Sequence, residues 1–305
     1  MRRILITILL MLSCALSAFA QEQSSGALPF VRNDRGGVTS ALAGAGWSAV
    51  HGADFSGATF GNVAAVPFMP QKVSLGVTYS YWAPSTVREH IVQAGGAFRV
   101  GKHVALTAGF LRGMHSSVEV DGSAYKPYDM AVGGGIAFSI GEHFGIGDNL
   151  KYVREQLLED YHLSGVSADA FVQVHGRDYN VMAGVVSVGP KVASSLVDSR
   201  YALPSAARLA ADYVFRPGTF TLQPTVDMEV SFAGKFAIAG GLQAGFKDLL
   251  WLRAGYRYAV AGCAVPSHLG LGAGLTWKGL RLSLTYLTAN QEMGNSLTAG
   301  LGYAF

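Results

Sequence analysis

From residue 72 to the last residue the chain alternates apolar and polar side chains with a period of two, in one segment after another. Phe220, Leu222, Pro224, Val226, Met228, Val230 and Phe232 fall on one face, and Thr221, Gln223, Thr225, Asp227, Glu229 and Ser231 on the other. Successive side chains of a strand point to opposite sides, so this pattern predicts a strand with one apolar and one polar face. The same split sets Leu250, Leu252, Ala254, Tyr256 and Tyr258 against Trp251, Arg253, Gly255 and Arg257. About fourteen such segments occur, most of them about the 9 to 11 residues that cross a membrane as a tilted strand. Their spans are 72–82, 88–100, 102–113, 129–140, 142–155, 165–176, 178–188, 205–216, 219–232, 235–246, 249–260, 267–278, 279–290 and 295–305. Two are irregular. Asp148 falls in phase with apolar Phe144, Ile146, Leu150 and Tyr152, which predicts a re-registering bulge at Gly147, and Tyr179 to Val188 is ambiguous in phase.

Connections at Gly101-Lys102, Gly141-Glu142, Gly176-Arg177, Gly234-Lys235, Lys247-Asp248 and Lys278-Gly279 are short and are assigned to one side, whereas Met114 to Asp129, Leu157 to Gly165 and Lys191 to Ala206 are longer. Short turns at one end and long loops at the other characterise outer-membrane barrels. A secreted soluble sandwich also alternates, but here the apolar faces end in aromatics such as Tyr79, Tyr81, Trp277 and Tyr286, as interfacial girdles do. The polar faces are rich in Gly, Ser and Thr, which suits a crowded lumen. The chain ends on an apolar-aromatic strand with Tyr303 and a terminal Phe305, read as the barrel's assembly signal. The predicted fold is all-β, a transmembrane antiparallel β-barrel of about fourteen strands embedded in outer-membrane lipid.

The start of the chain has another texture. Arg2 and Arg3, the apolar run Ile4 to Leu12 and Ala18-Phe19-Ala20 predict a cleaved signal peptide over 1–20. A lipoprotein reading at Cys14 lacks a good lipobox, and without Cys14 only Cys263 remains, so no disulfide can form within the mature chain. Residues 21–70, small-residue-rich from Gly36 to Gly46, predict an N-terminal hatch inside a barrel spanning 71–305; a periplasmic extension is the other reading. The 39 glycines in 305 residues weigh against a helical protein, because glycine costs about 1 kcal/mol at each helix-interior position. A net charge of +3 with no basic run beyond the first three residues gives nucleic acid nothing to bind.

Candidate chemistry is sparse. His51, His90, His103, His115, His143, His162, His175 and His268 are dispersed without metal-ligand spacing, and no nucleophile elbow occurs. The expectation is no enzyme, no cofactor and no metal. The informative polar set is inward by parity: Arg208 and Asp212 on one strand, Asp227 and Glu229 on the next, Arg253 and Arg257 two strands on, with Gln243 placed to bridge them. Such charges must be paired or hydrated, so they read either as a network bracing the wall and hatch or as a polar constriction in a substrate path.

Ser40-Ala41-Leu42-Ala43-Gly44-Ala45-Gly46, then Ala53-Asp54, then Asn62-Val63-Ala64 resembles the N-terminal pattern of the PorV/PorQ family within the FadL superfamily. Asn149-Leu150-Lys151-Tyr152, Ala168-Asp169 and Leu203-Pro204 with Arg208-Leu209 resemble further family segments in the same order, although Val63 stands where the family usually has proline. The resemblance implies fourteen strands with a hatch that includes Asp54, Asn62, Val63 and Ala64. It also implies one of two roles. The first is a non-enzymatic accessory of type IX-like protein export and surface attachment, with secretion-system or exported surface proteins as partners. The alternative is a FadL-like passive channel for hydrophobic small molecules. A channel needs apolar inward residues near the hatch, and by parity only Leu111, Phe171 and Trp251 stand out, which favours the export role.

Overall fold

The computed structural model describes residues 27–32, 36–83, 88–120, 122–196, 199–289 and 294–305; the expected signal peptide over 1–20 lies outside them. Fourteen strands form one closed antiparallel wall: β1 Val73–Ala83, β2 Glu89–Val100, β3 Val104–His115, β4 Tyr128–Ile140, β5 Phe144–Gln156, β6 His162–His175 and β7 Tyr179–Val188. The wall continues with β8 Ala206–Tyr213, β9 Phe220–Ser231, β10 Phe236–Phe246, β11 Leu250–Ala259, β12 His268–Trp277, β13 Leu280–Ala289 and β14 Asn295–Ala304. Each strand pairs with its neighbours in sequence, and β1 closes on β14 from Ser74 opposite Ala304 to Ala83 opposite Asn295. The Phe305 carbonyl accepts the backbone N–H groups of Lys72 at 2.8 Å and Val73 at 2.9 Å, fastening the C-terminus to the first strand. Closure leaves no edge in lipid.

Burial follows the alternation. Along β9 every residue from Thr221 to Glu229 of the polar set is buried, while Phe220, Leu222, Val226 and Val230 are exposed on the outer face. The aromatics Tyr79, Tyr256, Tyr258, Trp277, Tyr286 and Tyr303 are likewise exposed, as a lipid-facing surface requires.

Two sequence expectations are corrected and one ambiguity is resolved. Pairing of β5 with β4 and β6 is continuous through Gly147, so no bulge forms there and Asp148 faces outward between Ile136 and Ala170. The bulge lies instead between β6 and β7, where Ala168 pairs with Val188 and Ala170 with Val185. Val186 and Ser187 are both buried at this point, and Ser187 adopts φ 55 with its N–H donated to Asp169 Oδ1 at 2.8 Å. That extra residue explains the ambiguous phase of Tyr179 to Val188. Finally, the turn at Gly234-Lys235 joins β9 to β10 at the end where the long loops lie, not with the other short turns. Short paired segments, Val118–Val120 with Ser123–Tyr125 and Val192–Ser194 with Arg200–Tyr201, extend two long loops.

A carboxylate on the lipid face is unfavourable, by less than the roughly 2–4 kcal/mol of a midplane lysine or arginine. Asp148→Leu is therefore expected to stabilise the barrel by about 1 kcal/mol. Urea unfolding in lipid vesicles would read this as a higher midpoint; a lower one would show that Asp148 has a favourable role.

The inner faces meet the N-terminal segment. It contains 3₁₀ turns Pro29–Arg32, Phe55–Phe60 and Val63–Phe68 and the short helix α1, Gly37–Ala41. Asp54 caps the second turn by accepting the Ser56 N–H at 3.0 Å, and Asn62 caps the third by accepting that of Ala64 at 3.0 Å. Val63 occupies the first position after the cap, where proline is favoured because it lacks an N–H. The Asn62 cap holds the turn without it. Helix α1 packs on β11–β14, Phe55–Phe60 on β1–β4 and Val63–Phe68 on β2–β6. Glycines on the wall make this approach possible. A Cβ on Gly255 would overlap the Leu42 carbonyl, and one on Gly270 would sit 2.5 Å from the Ser40 oxygen.

Candidate functional site

The charged residues singled out by parity converge, and they do so on the N-terminal segment. Arg208 Nε donates to Asp227 Oδ1 at 3.0 Å, and its second arm donates to the Gly44 carbonyl. The other Asp227 oxygen accepts the backbone N–H groups of Gly46 at 2.7 Å and Trp47 at 3.5 Å. The Arg208 guanidinium lies 3.8 Å over the Trp47 ring. Glu229 is surrounded by Arg32 at 2.5 Å, Arg257 at 3.3 Å and Arg208 at 3.8 Å. Each buried charge is thus paired, as a low-dielectric interior demands.

A second group lies nearer the short-turn end. Asp212 accepts from Ser48 Oγ at 2.6 Å, Gln223 at 2.7 Å and Asn180 at 2.9 Å. Gln243 donates to Gln223 at 2.6 Å and accepts from Arg253 Nε at 3.1 Å, so it joins Arg253 to the Asp212 group. Asn62 donates to the Trp47 carbonyl at 2.9 Å and to Gln173 at 2.8 Å, while Val63 and Ala64 are fully buried. Asn149 on β5 donates to the Gly61 carbonyl at 3.0 Å, and Thr285 on β13 to that of Gly37 at 2.8 Å. The N-terminal segment is therefore held by hydrogen bonds from both sides of the barrel. Below it, a cavity of about 450 Å³ at the short-turn end is lined by Val50, His51, Phe68, Trp251, Arg253 and Arg281 among others. Leu111, Phe171 and Trp251 are buried on the inner face, as their parity predicts.

At the long-loop end one side of the lumen, along β2–β6, carries an apolar patch. Ile91 on β2, Leu111 on β3, Ala131 on β4, Val153 on β5 and Leu163 on β6 form a continuous buried cluster. Leu28 and Phe30 cover it from the N-terminal segment, and Val192 and Leu203 from the β7–β8 connection. The Ala27 N–H donates to the Ala202 carbonyl at 2.8 Å, tying the two covers together. By parity only Leu111 of these stands out in the sequence. One apolar residue per strand is inconspicuous among polar lumen residues, but the register sets the five side by side.

Beside this cluster the ends of β2, β3 and β4 bring together Glu89, His115 and Asp129, whose ligating atoms lie within 4.8 Å of one another. His115 Nε2 is 3.0 Å from Asp129 Oδ2 and 4.0 Å from Glu89 Oε1. This is the grouping among the described residues that could hold a metal ion.

No protein family matches the sequence, and no curated protein matches it. Solved structures share its fold. The CymD monoaromatic hydrocarbon channel is 13% identical over 88% of this chain and 97% of its own, with a TM-score of 0.60. The Pseudomonas putida toluene transporter TodX is 11% identical over 88% and 97%, also at 0.60. A Pseudomonas aeruginosa FadL homologue is 10% identical over 88% and 98%, at 0.54. These likenesses establish a fold of the FadL-like outer-membrane barrel type.

Proposed function

We propose that the protein is an integral outer-membrane channel, non-enzymatic, that admits hydrophobic small molecules through a barrel closed at rest by its N-terminal hatch. The observation that carries this reading is the apolar patch of Ile91, Leu111, Val153 and Leu163 at the long-loop mouth, covered by Leu28 and Phe30. Long loops of outer-membrane barrels face the cell exterior, so the patch is the first lumenal surface an incoming molecule meets. Burying an apolar ligand there releases about 25 cal/mol per Å² of surface removed from water, and Leu28 and Phe30 are the side chains it would displace. Below the patch the hatch fills the lumen, so passage requires that segment to shift. The named roles of the solved relatives, hydrocarbon channel and toluene transporter, support the same reading. The export role implied by the PorV/PorQ resemblance finds no counterpart among those structures. The charged network on β8–β11 acts in this scheme as the fastening of the hatch rather than as a constriction, because each of its members has an internal partner.

Cells producing the protein should accumulate radiolabelled toluene or a long-chain fatty acid faster than cells without it. Leu111→Glu or Val153→Asp should lower uptake by about tenfold, since a loss of only about 1.4 kcal/mol in affinity is a factor of ten. Equal accumulation of both compounds with and without the protein would overturn the proposal.

A further inference from the structure

We propose that the long-loop rim of the lumen holds a divalent transition-metal site formed by Glu89, His115 and Asp129. The sequence separates these residues widely, but the register places them together: Glu89 is directly opposite His115, Gly113 opposite Asp129, and Asp129 in turn opposite Glu155. Glu89 and Asp129 are 4% and 2% exposed, so both carboxylates are withdrawn from bulk water.

Three observations point to a cation. Asp129 Oδ1 is buried and has no hydrogen-bond partner among the described residues, although Oδ2 is bound by His115. A buried carboxylate oxygen without a donor costs the full desolvation of that atom, and a metal ion removes the cost by ligation. Second, Asp129 faces another acid, Glu155, across a strand pair. Like charges directly opposite one another are unfavourable, and a divalent cation reverses the sign of that interaction. Third, the space is kept open by a missing side chain. A Cβ on Gly113 would lie 2.8 Å from Glu89 Oε1 and 3.2 Å from Asp129 Oδ2, so a larger residue there would push the Glu89 carboxylate out of its present position.

The donor set selects the class of ion. Oxygen ligands alone would suit calcium or magnesium, but an imidazole nitrogen in the set suits zinc and its first-row neighbours. Zinc at about 2.0–2.1 Å from each ligand requires ligand–ligand separations of roughly 3.3 Å. The two His115 separations, 3.0 and 4.0 Å, bracket that value, and the three ligand atoms lie within 4.8 Å of one another, so side-chain rotations that draw the carboxylates inward complete the site. On binding, the Nε2 lone pair of neutral His115 ligates the ion, and any proton on Nε2 passes to solvent. His115 also lines a groove of about 600 Å³ at the loop end, which gives the ion a route from outside. Arg88, Arg112 and Lys126 line that groove too, whereas none of the three carboxylates does, so the negative charge is confined to the pocket behind His115.

The test uses the full-length protein in detergent, stripped with EDTA and titrated calorimetrically with Zn²⁺. One ion per chain is expected, with a rise in thermal midpoint on binding. Asp129→Asn and His115→Gln, both close in shape to the native residue, should each lower affinity by at least the 10–100-fold that loss of a supporting group costs. Gly113→Ala should weaken binding without removing a ligand, and heat-modifiable gel migration reports that each variant has folded. Absence of Zn²⁺ binding to the wild type, or uptake undiminished in all three variants, would overturn the assignment. The readout does not involve transport, so it stands apart from the channel proposal.

Discussion

A chain lacking residues 21–70 is expected to insert as a barrel and to pass large, steady currents across planar bilayers, whereas the intact protein passes little. The wall supports this by its size. Eight-stranded barrels are filled by their own side chains, and sixteen- to eighteen-stranded porins enclose a water channel. A fourteen-stranded wall stands close to the porins, and the space inside it is taken by α1 and the 3₁₀ turns. The inner face that would remain is compatible with water: Asn149, Gln173, Gln223, Asp227 and Thr285 would exchange hatch or neighbouring partners for solvent. Ion selectivity of the opened lumen should report the arginines left on β8, β11 and β13. Currents of equal size from the intact and truncated chains would show that the N-terminal segment does not close the lumen.

The second large effect is expected at Asp227. This carboxylate is 2% exposed and ties three things at once: Arg208 on the adjacent strand and the N–H groups of Gly46 and Trp47 in the hatch. Asp227→Ala leaves a buried guanidinium short of its nearest anion and two backbone donors without acceptors. Breaking one side of a buried pair typically costs about 3–5 kcal/mol. The residual 3.8 Å contact of Arg208 with Glu229 places the expected loss at the low end, about 3 kcal/mol. The double variant Arg208→Ala/Asp227→Ala should lose less than the sum of the singles, because it leaves no uncompensated charge. Chemical unfolding of all three in lipid vesicles yields the coupling energy. Additive losses would mean that the two side chains do not depend on each other, contrary to the geometry.

The strands were legible because lipid outside and a polar lumen inside impose the same period on every one of them. Each of the fourteen predicted spans overlaps one observed strand. The same rule misled at Asp148, because it assumes that a charge never faces lipid. The real irregularity at Val186 and Ser187 left a trace in the sequence only as lost phase. The network of Arg208, Asp227, Glu229 and Arg257 could be anticipated by parity on neighbouring strands, whereas Arg32, which completes it, comes from far upstream and carries no periodic signal. Glu89, His115 and Asp129 are not legible as a group, because the alternation of the third strand fades at 113 while its pairing runs on to His115. Contact across strands depends on register, and register follows from turn lengths that alternation alone does not set.

The arrangement of the hatch also has a bearing on the order in which the molecule forms. Phe55–Phe60 and Val63–Phe68 rest on β1–β6, near the segment itself along the chain, while α1 rests on β11–β14, more than two hundred residues away. The first set of contacts closes modest loops; the second waits for the end of the chain. While the β1–β14 junction is open, the later part of the hatch already has a surface to lie on, and α1 does not. The helix at the beginning of the sequence is thus among the last pieces to be immobilised, fixed when the final strand arrives.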